Sequence, residues 1–250
     1  MNKLLYILLL SQLVFWMSSC DQDIDFAYEG KDRIQFRHYE TDYNGNRHYS
    51  DTLTFTYGLM PDSITIDTAK IVVEYLGAGS DQERTYYVSV IEDSTTAVAG
   101  THYETIEREQ KFRPNKLTDT LRIVVYRTNL SDDYTNPETI RLDLKLEPSP
   151  DFDLGLNGGL VKKIKMNNYM SEPAWWKANF YGEQLGFFHP EKWKILISFN
   201  EEFADQDECP YNTNNEGGEY VKGLRRYLEE IPVYDKATGK RIYMYELVDE

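Results

Sequence analysis

The sequence predicts a mainly β protein with a smaller α part: an antiparallel β-sandwich followed by a small, largely helical C-terminal module. Two observations carry this reading. From about residue 33 to residue 166, apolar residues recur with period two in short runs divided by turn-rich segments, as strands with one buried face do. After Asn168 the pattern changes to that of an amphipathic helix. The 20 Tyr, 11 Phe and 4 Trp supply large apolar areas for a core.

The first element is a leader. Leu4 to Met17 is apolar except for Ser11 and Gln12 and follows a lone Lys3. It is shorter than the roughly 20 residues that span a membrane and has the layout of a secretory signal. Residues 1–19 are therefore read as a signal peptide and 20–32 as a tether.

Residues 33–166 then carry the strands. Ile34, Phe36 and His38 alternate with Arg33, Gln35 and Arg37, Leu53, Phe55 and Tyr57 alternate with threonines, and Ile71, Val73 and Tyr75 alternate around Val72 and Glu74. Tyr86, Val88 and Val90 follow, then Leu121, Ile123 and Val125, then Ile140, Leu142, Leu144 and Leu146. The separators "DYNGN", "GLMPDS", "LGAGSDQ", "NLSDDYTNP" and "PSPDFDLGLNGG" are rich in turn formers. Seven or so strands with no helix among them predict a sandwich with Greek-key connections.

Residues 167–250 are read as a helical module packed on the sandwich, since so short a segment buries little alone. "SEPAWWKANF" predicts a helix with Ser171 as N-cap, Pro173 in its first turn and Gly182 as its stop. "HPEKWKILISFNEEFAD" fits a helix stripe through Trp193, Leu196 and Ile197 and a strand through Trp193, Ile195, Ile197 and Phe199; Pro190 and its length favour the helix. In "GEYVKGLRRYLEEI", Tyr220, Val221, Leu224, Tyr227, Leu228 and Ile231 line one face and Pro232 ends it. "DKATGK" then reads as a turn in a terminal hairpin.

Ser18, Ser19 and Cys20 resemble the end of a bacterial lipobox, with Met17 where Leu is usual. The resemblance implies that Cys20 is acylated and becomes the mature N-terminus; ordinary cleavage leaving a thiol is the other reading. Several acyl chains would anchor the chain stably where one would not. With Cys20 lipidated, Cys209 has no disulfide partner and no cysteine metal site is available. The leader's only charged side chain is Lys3, so its removal takes the net charge from −15 to −16. That excess argues against nucleic acid and against adhesion to anionic lipid, leaving a lipid anchor as the membrane contact.

"EDSTTAVAGTHYE" resembles the Calx-beta signature through Thr96, Ala97, Gly100, His102 and Tyr103, and "KFRPNKLTDTLRIVVY" and "NPETIRLDLKLEP" match its later strands. This implies an immunoglobulin-like sandwich. Calx-beta domains that bind calcium use clustered carboxylates, but here His102 replaces the usual Asp, and Asp132 and Asp133 are displaced along the chain. With calcium wanting six to eight oxygens, a solvated acidic loop is the reading taken, and no metal or cofactor is expected. The whole layout, including "PAWWKANFYGE", is similar to a family of Bacteroidetes outer-membrane lipoproteins whose domain is of unknown function and whose genes accompany starch-utilisation-type uptake systems. The resemblance implies an outer-membrane transporter and a substrate-binding lipoprotein as partners, and a lipid-anchored, surface-exposed location. It also implies that Asp21, Asp23 and Asp25 act as a surface-export signal; a charged tether is the plain alternative. In such organisms exported proteins are O-glycosylated at Asp, then Ser or Thr, then a small apolar residue or Thr, and Thr52, Ser63, Thr68, Ser94 and Thr120 match that pattern where composition leads to about one match. Turn formation at strand ends explains some such pairs without a sugar.

Residues for catalysis are sparse. His38, His48, His102 and His189 form no metalloprotease or hydrolase motif, and "GLNGG" lacks the strand-turn-helix setting of a phosphate loop. Glu201, Glu202, Asp205, Asp207 and Glu208 cluster, which a glycosidase pair or a solvated helix end would equally explain. Trp175 and Trp176 are adjacent, so on a helix both are buried only if it is wedged between surfaces. They read either as a ligand or partner contact or as a weld between module and sandwich. The expected function is a non-catalytic surface lipoprotein, accessory or substrate-binding in an outer-membrane uptake complex for glycan or peptide. The alternative is a surface hydrolase using a carboxylate pair, or a structural adhesion subunit.

Overall fold

The protein is described by a computed structural model for residues 30–77, 79–209 and 215–249. Among the described residues eleven strands precede the first α-helix: β1 (Arg33–Phe36), β2 (Tyr39–Thr41), β3 (Arg47–Tyr49), β4 (Thr52–Thr56), β5 (Ile66–Leu76), β6 (Arg84–Val90), β7 (Glu109–Phe112), β8 (Thr118–Tyr126), β9 (Ile140–Glu147), β10 (Asp153–Leu154) and β11 (Val161–Asn167). One sheet runs β10-β1-β5-β8 and the other β4-β11-β9-β6-β7. The predicted sandwich is therefore present.

The inward rows are the ones the alternation picks out. Ile71 of β5 lies opposite Leu121 of β8, and Ala69 opposite Ile123. These residues meet Leu142, Leu144 and Leu146 of β9 and Ile164 of β11 in one buried cluster. Tyr57 is fully buried there, its hydroxyl donating to the Val125 carbonyl at 2.7 Å, so the one polar atom it carries inward is satisfied.

Two sheet edges depart from the antiparallel pattern. β1 pairs with β10 in parallel, and β4 with β11 in parallel. Period two is the same in both directions of pairing, so it carries no information on this point. The hairpin β2–β3 forms a separate two-stranded sheet, with Tyr39 opposite Tyr49.

A second core gathers Met170, the three tryptophans Trp175, Trp176 and Trp193, and residues of helices α1 (Pro190–Phe199) and α2 (Asn215–Glu230). His189 caps α1, its Nδ1 accepting from the Glu191 amide, and Pro190 takes the first turn where its missing N–H is harmless. On α2, Val221, Leu224 and Leu228 are fully buried, whereas Ile231 lies beyond the helix and is exposed. The end of the chain forms strands β12 (Arg241–Ile242) and β13 (Leu247–Val248), and Asp235 closes the "DKATGK" turn by accepting from Ala237 and Thr238.

The predicted helix over "SEPAWWKANF" is not formed. Residues 174–177 make a turn in which Trp176 bonds back to Pro173 and Ala178 to Trp175. Both indoles must enter the same core, and a continued helix would turn their Cα–Cβ bonds about 100° apart. The two cores meet through Arg127 Nε donating to Asn168 Oδ1 at 2.9 Å, a Thr139–Tyr169 hydroxyl pair at 3.0 Å, and the Tyr134 ring against Phe188 and His189.

Candidate functional site

The tryptophan pair is not a surface platform, which corrects that reading of Trp175 and Trp176. Their exposures are 5% and 1%, and their Nε1 atoms donate to the carbonyls of Asp205 and Gly186. An indole enclosed on both faces and hydrogen-bonded at its nitrogen has nothing left to offer a ligand.

Of the four histidines, His38 and His48 stand on the two arms of the β2–β3 hairpin, and His102 and His189 lie elsewhere in the fold. His48 contacts Asp42 at 3.1 Å on the exposed hairpin, and His102 Nδ1 accepts from the Val98 amide. The latter bond lies in the turn around Gly100, where the Calx-beta-like segment bends to bring Tyr103 beside Val125. Buried His189 has Nε2 3.5 Å from Asp235 Oδ1. Burial pushes its imidazole pKa down, and Asp235 pulls it only part of the way back.

Near His189 the chain hides a cation. Lys192 is 0% exposed, and its Nζ donates to the carbonyls of Leu185 (2.5 Å), Phe187 (2.7 Å) and Met244 (2.7 Å). The ring of Phe187 lies 4.4 Å from the same nitrogen. Burial pushes the ammonium down to about 7, against the ring and the carbonyls, which favour its charged form. No sequence pattern announces this site; an i,i+1 Lys-Trp pair on a helix reads as one exposed and one buried residue.

The acidic residues Glu201, Glu202, Asp205, Asp207 and Glu208 are all exposed. Asp205 accepts from the amides of Asp207 and Glu208, which holds its carboxyl below the usual range and makes it a turn former. Among the described residues no group of three or more His, Cys, Asp or Glu is placed to hold a metal ion. Cys209 is buried in the second core.

Cys20, Asp21, Asp23 and Asp25 lie outside the described residues. Of the five Asp-Ser/Thr pairs, Ser63 sits in an exposed turn beside exposed Asp62. Thr52, Thr68 and Thr120 are half-buried strand residues, and Ser94 donates to Asp143 at 2.7 Å.

The hairpin β2–β3 is an exposed aromatic feature that the sequence reading passed over. Its arms repeat a tripeptide, Arg37-His38-Tyr39 and Arg47-His48-Tyr49, around the turn "DYNGN". Asp42 builds that turn by accepting from the amides of Asn44 and Asn46, and Gly45 supplies the positive φ of +86°. The register sets Tyr39 against Tyr49 and Thr41 against Arg47, so both tyrosines and Arg47 share one face. The Arg47 guanidinium lies 4.4 Å from the Tyr39 ring centre and that of Arg37 5.8 Å. The hairpin is tied down by Glu74, which accepts from Arg37 (2.7 Å), Gln35 (2.9 Å) and the Tyr39 hydroxyl (3.2 Å). Burial pushes the Glu74 carboxyl up, but these bonds outweigh it and hold it below its ordinary value. Tyr49 and Tyr43 project with 66% and 97% of their surface exposed. The signal was available: an Asn-Gly turn with the same Arg-His-Tyr tripeptide on each arm, each tyrosine three residues outside "DYNGN", is a hairpin pattern.

Comparison with known proteins places these features in a family. The model described as "Domain of unknown function (DUF4843)" matches residues 28–202, which takes in the sandwich, the hairpin and α1. No curated protein matches the chain. Among solved structures, the apo form of the Calx CBD1 domain is similar at 17% identity and a TM-score of 0.36, over 56% of this chain and 98% of that one. A Bacteroides ovatus protein provisionally described as carbohydrate binding gives 11% and 0.36, over 55% of this chain and 37% of that one. Another Bacteroides ovatus protein, of unknown function, gives 14% and 0.36, over 62% and 49%. The chain thus spans under half the length of the last two.

Proposed function

The chain belongs to the DUF4843 family, and from that premise we propose that it is a non-catalytic surface lipoprotein, an accessory or substrate-binding component of an outer-membrane nutrient uptake complex. The hairpin's exposed aromatic face carries the reading: large rings held clear of both cores are characteristic of a binding surface. The lipobox-like Ser18-Ser19-Cys20 supports membrane attachment, and Asp21, Asp23 and Asp25 support an outward-facing location. The mature chain's excess of negative charge adds that lipid rather than electrostatics holds it there.

Two measurements test this. Cys20→Ala is expected to move the protein from the membrane fraction to the soluble fraction; retention in the membrane would overturn the anchor. Affinity purification from the native host is expected to recover a transporter and a substrate-binding lipoprotein, and recovery of neither would count against the uptake role. Among the glycosylation candidates, Ser63 is the one we expect to be used, because a transferase needs both the Asp and the hydroxyl accessible. An intact mass equal to polypeptide plus lipid would remove it.

A further inference from the structure

We propose that the β2–β3 hairpin is a binding platform for a neutral glycan, with the ring of Tyr49 as its centre; this rests on the binding-protein reading and narrows it to one chemistry and one place.

The platform is built from below. Gly158 and Gly159, in the "GLNGG" segment, leave room for the His38 ring: a Cβ on Gly158 would lie 3.2 Å from its Cδ2, and one on Gly159 would lie 3.1 Å from its Nδ1 and 2.7 Å from the Phe36 carbonyl. His38 in turn backs Tyr49, with ring centres 5.5 Å apart and planes 36° from parallel. Tyr39 flanks it at 6.1 Å, itself fixed by Glu74 and two guanidiniums. Tyr49 is thus propped on one side and open on the other. A ring held this way loses little rotamer freedom when a ligand lands on it.

The chemistry around the ring selects the ligand. The axial C–H groups of a pyranose present weakly positive hydrogens to the negative face of an aromatic ring. Arg47 lies two residues along the same face, about 7 Å away, within reach of hydroxyls of a sugar on Tyr49. Among the described residues Arg47 makes no ion pair, so its donors are not committed to a carboxylate. At the hairpin tip, Asn44 and Asn46 bracket Gly45; Asn46 Nδ2 donates to Asp42 Oδ2 at 3.1 Å, while the exposed Asn44 side chain offers an amide donor and acceptor next to Tyr43, a second exposed ring.

Other ligands fit less well. A peptide would need a pocket for its side chains or a strand edge to extend, and strands of three residues offer few backbone bonds. Recesses in the described part of the chain lie beside Glu201 and Cys209, beside Trp175, beside Thr65 and Asn129, and beside Phe199 and Tyr227, away from the hairpin. An anionic polymer would meet a chain of formal charge −15.

The test is affinity electrophoresis of the intact chain in detergent, through gels holding a neutral α-glucan, a neutral β-glucan or a uronate-rich polysaccharide. A neutral glycan is expected to retard the protein, with little change between about 50 and about 500 mM salt. Tyr49→Ala should weaken that binding about fivefold to tenfold, and Tyr49→Phe should preserve it, with thermal melts by circular dichroism showing both variants folded. Equal retardation of wild type and Tyr49→Ala would overturn the hairpin site while leaving the binding-protein reading intact. Retardation by no neutral glycan, or by the uronate polymer alone with loss in salt, would overturn the glycan assignment. Failure of the broader reading shows separately, as loss of transporter and lipoprotein from the native-host purification.

Discussion

Lys192→Met is expected to lower the stability of the second core by about 3 kcal/mol, because it strands three carbonyls at once, two of them in buried bonds. The Nζ of Lys192 joins the strap at Leu185 and Phe187 to Met244, in the turn between β12 and β13. Methionine nearly matches the lysine stem in length, so packing is largely kept and the loss reports the polar contacts. The readout is selective: Trp175, Trp176 and Trp193 all lie in the second core, and the remaining tryptophan, Trp16, falls in the segment read as a signal peptide, outside the described residues. Thermal unfolding followed by tryptophan fluorescence should shift down by roughly 6–12 °C, and an unchanged midpoint would refute the structural role.

The same residue sets a pH dependence. In the native state burial holds its pKa down to about 7, against an unfolded value near 10.5. Between those values the unfolded chain binds more protons, so stability rises as pH rises from about 7 toward 10. Below about 7 the amine is charged in both states and contributes no slope. Lys192→Met should abolish this component, so the gap between wild type and variant widens from pH 7 to pH 10.

Gly186→Ala is expected to be equally damaging, from the backbone side of the same cage. Gly186 has φ +67°, where an L side chain is strained, and its carbonyl accepts from Trp176 Nε1. A Cβ there would collide with the Met244 carbonyl, one of the three that Lys192 holds, and would lie 2.8 Å from the Tyr245 ring. Neither the strap nor the terminal turn can withdraw without giving up its bond to the ammonium. A loss of about 3 kcal/mol is expected, combining left-handed strain with repacking. The double variant should fall short of the sum of the single effects, since both break the link to Met244. Urea unfolding of the four proteins by tryptophan fluorescence measures this; strict additivity would show that the two residues act independently.

Much of the first core was legible because burial there follows from spacing alone. Ile140, Leu142, Leu144 and Leu146 alternate with Arg141, Asp143 and Lys145, and the alternating apolar residues are the ones that pack inward. The α2 stripe of Val221, Leu224 and Leu228 was legible for the same reason at a different period. The tryptophan segment was not, because a single turn and a helix begin with the same residues and only the surrounding core decides which continues. The candidate site was half legible: the hairpin's turn and its repeated Arg-His-Tyr stand in the sequence, but not that the rings face outward. That outcome depends on Glu74 of β5 and on Gly158 and Gly159 supporting His38, contacts spanning some 40 to 120 residues.

The sequence by itself therefore determined which residues alternate, where turns interrupt them, the acidic character of the chain and the lipobox-like resemblance at Cys20, all local properties of neighbouring residues. Tertiary structure alone decided that the tryptophans are enclosed, that Lys192 is caged by carbonyls, that two sheet edges pair in parallel and that a hairpin presents its tyrosines. Each of these depends on segments distant in sequence meeting in space, and a one-dimensional period carries no record of such meetings.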